Sequence, residues 1–140
     1  MARPAAFEDL LAANEDYVRG FTLGDLEATA KRSLAIVTCF DSRIEPLEML
    51  GLAPGDAKIL RVAGGRVTES VIESLRLATE RLGVDRIALV QHTDCAAPST
   101  GLDTLAADVL RVRRHVDVDA DRVEGFVYDV HSGRVTHPDE

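Results

Sequence analysis

The chain has 140 residues, of which 46% are hydrophobic and 29% charged. That is the length of one domain, here 1–140, with enough apolar material for a core. Asp and Glu outnumber Lys and Arg by 24 to 16, for a net charge of −8; nucleic acid and anionic membranes, which select a basic face, are poor partners for such a chain.

No apolar run approaches the roughly 20 residues of a membrane-spanning helix. The segment from Met1 to Asp9 lacks an apolar signal core and carries acids, so no signal peptide is expected. The expected location is cytoplasmic, where thiols stay reduced and a Cys39–Cys95 disulfide is disfavoured.

The first element is a helix. Phe7, Leu10, Leu11, Val18 and Phe21 follow helical spacing, which predicts an amphipathic arm over about 5–20, ending at Gly20. From Leu34 to Phe40 the chain is apolar without a break and includes β-branched Ile36, Val37 and Thr38. That predicts a strand buried on both faces. The turn Pro54-Gly55-Asp56 leads into a second strand over 57–62. Thr68 is a candidate N-cap for a helix with Val71, Leu75, Ala78 and Leu82 on one face, closed by Gly83. A third strand is expected over 86–91. Leu105, Val109, Val112 and Val116 mark another helix, whose Arg111, Arg113 and Arg114 read as a solvated face. The last strand is expected over 123–130, before a Ser132-Gly133 turn. Alternating strands and helices predict an α/β fold with a mainly parallel central sheet of four to five strands flanked by helices.

Both cysteines of the chain follow predicted strands. Cys39 opens Cys39-Phe40-Asp41-Ser42-Arg43, and Cys95 closes His92-Thr93-Asp94-Cys95. The C-terminal ends of parallel strands converge on one sheet edge. Thiolate and imidazole are preferred zinc ligands, and three of them leave a fourth position open for chemistry. Free cysteines also pack as small hydrophobes, so spacing alone leaves metal binding and packing both open. Gly64-Gly65, after the second strand, is either an anion-binding turn or only a tight turn. His115, His131 and His137 read as surface residues.

The strings Cys39-Phe40-Asp41-Ser42-Arg43, Arg61-Val62-Ala63-Gly64-Gly65 and His92-Thr93-Asp94-Cys95, in this order, resemble the β-class carbonic anhydrases. The resemblance implies a zinc ion on Cys39, His92 and Cys95, an Asp41–Arg43 pair beside it, and a last strand free to run antiparallel. It implies reversible hydration of carbon dioxide to bicarbonate by hydroxide generated at Zn2+. It also implies a homodimer or higher homo-oligomer with the site partly built by the partner. Gly64 and Gly65 are candidate substrate-binding positions. Two other functions fit the same residues. One is hydrolysis of carbonyl sulfide or carbon disulfide. The other is a non-catalytic, zinc-stabilised dimeric scaffold with Asp41 closing the site. Three departures stand out: Val62 replaces the family's usual Asn, Ala96 its usual Gly, and segment 96–122 is short. A left-handed backbone at Ala96 would be strained.

Overall fold

A computed structural model describes residues 2–98 and 100–140; Met1, at the start of the segment read above for a signal, lies outside them. A five-stranded sheet runs through the molecule in the order β2-β1-β3-β4-β5. Its strands are β1 (Leu34–Cys39), β2 (Ala57–Val62), β3 (Arg86–His92), β4 (Val123–Tyr128) and β5 (Val135–Thr136). The first four are parallel, and β5 lies antiparallel to β4. The antiparallel strand is therefore not the expected last one. Segment 123–128 runs parallel to β3, and the reversal occurs through the following turn into a two-residue strand.

Among the described residues, three α-helices accompany the sheet: α1 (Glu8–Arg19), α2 (Glu69–Arg81) and α3 (Leu102–His115). Thr68 Oγ1 accepts the Val71 N–H at 3.2 Å and caps α2. Gly83, at φ 76°, takes the left-handed conformation that ends the helix. Apolar side chains of α2 (Val71, Ile72, Leu75) and α3 (Leu105, Val109, Val112) form one core with Ala35, Val37, Ile87, Leu89 and Val123 of the sheet. Residues 35–39 of β1 are all buried, as an unbroken apolar run requires.

Two of the three arginines on α3 do not form a solvated face. Arg111 Nη1 donates to the Val67 carbonyl at 2.7 Å, and Arg113 Nη2 to the Val123 carbonyl at 2.7 Å. Their guanidinium groups fasten the helix to its neighbours, and only Arg114 behaves as expected. His137 also departs from a surface residue. It is half-buried, stacks edge-on against Phe126 and sits 3.2 Å from a Glu124 carboxylate oxygen.

The arm differs from the other helices: α1 forms where its spacing predicts but buries no residue. Leu10 and Val18 are each 62% exposed, and Phe7 and Tyr17 are more than half exposed.

β4 and α3 approach so closely that a Cβ on Gly125 would lie 2.8 Å from Leu105 Cγ, and Leu105 is 2% exposed. Gly125→Ala should therefore destabilise the fold by about 1–3 kcal/mol through overpacking. Urea unfolding measures it; an unchanged midpoint would mean the helix has room to retreat.

Candidate metal centre

The site forms where two ladders end together. β1 and β3 are neighbours with Thr38 opposite Val90, so Cys39 and His92 leave adjacent strands at the same edge. This is the edge where a 2-1-3-4 sheet reverses its winding, the usual place for a ligand site. Cys95 returns from the loop after β3. The ligand atoms of Cys39, His92 and Cys95 all lie within 4.8 Å of one another. A tetrahedral zinc with bonds of 2.0–2.3 Å needs ligand atoms about 3.3–3.8 Å apart, so small side-chain adjustments suffice.

The orientation of the His92 ring fits the same use. His92 Nδ1 is 2.7 Å from the Thr93 carbonyl. A carbonyl only accepts, so Nδ1 carries the hydrogen and Nε2 presents a lone pair. That Nε2 is buried and has no hydrogen-bond partner among the described residues. A buried nitrogen left this way is costly unless it has a further ligand to meet. Cys39 is 2% exposed, and the Gly64 N–H donates to its Sγ at 3.2 Å. Gly64 and Gly65 have φ of 70° and 63°, and their turn brings an amide to the sulfur. They support the cysteine from behind.

Asp41 is held on every side. Arg43 donates its backbone N–H and its Nε to Asp41 Oδ1 at 2.8 and 3.0 Å, and its Nη2 to Oδ2 at 2.7 Å. The Arg43 side-chain bonds, with its backbone N–H second, hold the Asp41 carboxyl well below the usual carboxylate range, and Asp41 in turn pushes the Arg43 pKa upward. Arg43 also reaches Asp94, bonding its carboxylate and its carbonyl at 3.0 Å each. Asp41 Oδ2 lies 3.8 Å from His92 Nε2. Arg61 completes the frame, with Nε on the Cys39 carbonyl at 3.1 Å and Nη2 on the Asp41 carbonyl at 2.6 Å.

All five residues singled out from the strings, Cys39, Asp41, Arg43, His92 and Cys95, therefore meet at one sheet edge. The sequence does not single out Asp94, although it stands inside the second string. Nor does it show that Arg61 reaches across to the neighbouring strand's end, to the carbonyls of Cys39 and Asp41. Ala96 is free of the expected strain: among the described residues, only Ser33 and Asp94 combine a side chain with positive φ. Asp94, at φ 55°, takes the left-handed position, which Asp tolerates better than most residues.

Residues 34–117 match the sequence model of the carbonic anhydrase family. This chain belongs to the β-carbonic anhydrase family. It is 43% identical over 88 residues to Beta-carbonic anhydrase 1 of Mycobacterium tuberculosis, a match covering 63% of this chain and 53% of that protein. It is 47% identical over 64 residues to a carbon disulfide hydrolase of Saccharolobus solfataricus, covering 46% of this chain and 31% of that protein. The chain thus spans about half the length, or less, of these relatives. A crystal structure of carbonic anhydrase from Streptococcus mutans superposes with a TM-score of 0.83 at 31% identity, over 97% of this chain and 99% of that one.

A Cβ on Gly65 would sit 3.1 Å from Cys39 N and Thr38 C. Gly65→Ala should cost about 1–2 kcal/mol from the left-handed backbone alone, and more from the clash with backbone that cannot yield. Gly20→Ala, with nothing within 4 Å, is the control. Equal unfolding midpoints for the two variants would refute the close approach.

Proposed function

We propose that this protein is a zinc enzyme that reversibly hydrates carbon dioxide to bicarbonate. The observation that carries the reading is the lone, buried His92 Nε2 converging with two cysteine sulfurs beside an Arg43-clamped Asp41. Cys39, His92 and Cys95 are the residues that would hold the metal. Bound zinc supplies a Lewis acid that makes hydroxide available from water near neutral pH. The rest is the work of the chain. Asp41, kept ionised by Arg43, is an acceptor only. It is suited to take a hydrogen bond from the reacting water and aim a lone pair at the carbon, not to keep a proton. Arg43, anchored also on Asp94, keeps that carboxylate from turning into the site. Gly64 donates to the Cys39 sulfur and draws charge from it. Carbon disulfide is the second substrate to test, because the Saccharolobus solfataricus relative is named for its hydrolysis.

Purified protein should carry one zinc per chain and accelerate carbon dioxide hydration in a stopped-flow assay. Cys95→Ser should lose the metal and unfold more easily, since metal binding couples to folding. Arg43→Ala should keep the metal but lose most of the hydration rate, because a freed Asp41 competes with water. Protein without zinc, or zinc-loaded protein with no hydration, would defeat the proposal. Sulfide release from carbon disulfide without hydration would favour the second substrate, and zinc with neither activity the scaffold.

The dimer belongs to the same proposal. A 12-residue helix is marginal alone in water, and α1 finds no burial in its own chain. A second copy of the chain is the partner we infer for its apolar face, completing the site beside exposed Phe40. Sedimentation should give twice the 15.2 kDa of one chain, and Leu10→Glu with Val18→Glu should return it to one. A wild-type monomer at micromolar concentration would contradict this.

A further inference from the structure

Asp108 is the one buried carboxylate among the described residues, 4% exposed in the middle of α3. Its environment does not end at an ion pair. Arg66 donates to it from Nε at 2.7 Å and from Nη2 at 3.3 Å, and the Val67 backbone N–H donates at 3.1 Å. One turn along α3, Arg111 donates to the Val67 carbonyl at 2.7 Å. Both polar groups of one peptide segment are thus held by one helix. That segment directly follows Gly64-Gly65, the turn whose amide meets the Cys39 sulfur at 3.2 Å. The other end of the turn is tied to the sheet: the Val62 carbonyl accepts the Phe40 N–H at 3.1 Å.

Helix α3 has its own reference point at the second ligand strand. Gln91, buried beside His92, accepts the Gly101 N–H at 3.2 Å at the start of the helix. The chain of contacts therefore runs from the neighbour of His92, through α3, to Asp108, to Val67, to the Gly64 amide, to Cys39.

We propose that Asp108 is a positioning residue for the Cys39 thiolate: it fixes the Gly64-Gly65 turn so that the Gly64 N–H stays on the sulfur. The proposal rests on the metal-site reading above. An amide donated to a thiolate draws charge from it and so tunes the metal it binds; partners that orient a ligand in this way are worth about 10–100-fold in metal affinity or activity when removed. A carboxylate serves here because it accepts the Val67 N–H and the Arg66 donors together. Two glycines at positive φ have no side chains of their own to fix the turn, so the restraint comes from outside it.

The test uses the full chain loaded with zinc or with cobalt(II), whose thiolate charge-transfer absorbance reports on the metal–sulfur bonds. Asp108→Ala should weaken zinc binding about 10–100-fold by chelator competition and shift the cobalt–thiolate band. Asp108→Asn, which retains an oxygen for the Val67 N–H, should recover most of both. Val112→Ala, fully buried on the same helix but bonding nothing in the turn, should lower stability with neither change. If Asp108→Ala does not fold, Arg111→Met decides: a band shift in the direction expected of a loosened turn supports the proposal, and an unchanged band overturns it. Asp108→Ala matching the wild type, or changing no more than Val112→Ala, also overturns it. Wild-type protein that binds no metal overturns the metal reading itself, and this proposal with it.

Discussion

The parallel pairing of β1 with β3 is the constraint from which the candidate centre follows. Its register sets Leu34 against Arg86 and Thr38 against Val90, so both ladders expire at the same level. A slip of one residue would turn each side chain to the opposite face and separate Cys39 from His92. The register is protected because both strands are buried among apolar neighbours. Thr38 adds a lock: its hydroxyl donates to the Val90 carbonyl at 2.8 Å, across the two strands and one residue before Cys39. Burial of an apolar core thereby sets the separation of two polar atoms that take no part in it.

A sheet edge alone does not make a site, because chain ends and loops there have backbone groups to satisfy. Here the same bonds that satisfy them aim the functional side chains. Arg43 ties the segment after β1 to the loop after β3 through Asp41 and Asp94. Arg61 reaches from the edge strand to the carbonyls of Cys39 and Asp41. The Thr93 N–H donates to the Tyr128 carbonyl at 3.0 Å, while the Thr93 hydroxyl accepts the Val130 N–H at 3.1 Å, so β4 continues to support the ligand loop where the ladder stops. Each of these bonds by itself is worth about 1 kcal/mol. Their effect is collective: the carboxylate has little freedom to choose another partner.

What was legible in the sequence divides along physical lines. Leu34–Cys39 declared itself because a strand buried on both faces has no polar interruptions. The α2 boundaries followed from Thr68 and Gly83, whose chemistry is local. β5 was not legible: Val135 and Thr136 lie in a polar stretch and become a strand only by pairing with Tyr128 and Val127. The five residues of the two strings converge at one sheet edge, but the partners that hold them did not announce themselves. Gly64 supports Cys39 through a backbone amide, which no residue letter encodes. Asp108 left a trace, an acid at helical spacing between Leu105 and Val112, where an apolar residue is expected.

The departures from the family pattern differ in which atoms they change. Val62 stands opposite Cys39 in the β1–β2 ladder and packs against the core. Replacing an amide side chain there removes donors and acceptors near the strand end. The bond that Val62 makes toward the Cys39 strand runs through its carbonyl to Phe40, and a carbonyl survives any substitution. Ala96 does not take the left-handed backbone, whereas Asp94, two residues earlier, does. Cys39 is supported by the Gly64 amide and His92 by the Thr93 carbonyl, again backbone groups. Asp41 takes two side-chain bonds from Arg43 beside that residue's backbone N–H, and Arg43 and Asp94 are both present. The changed positions thus alter the surroundings of the centre while leaving intact the bonds that hold its ligand atoms.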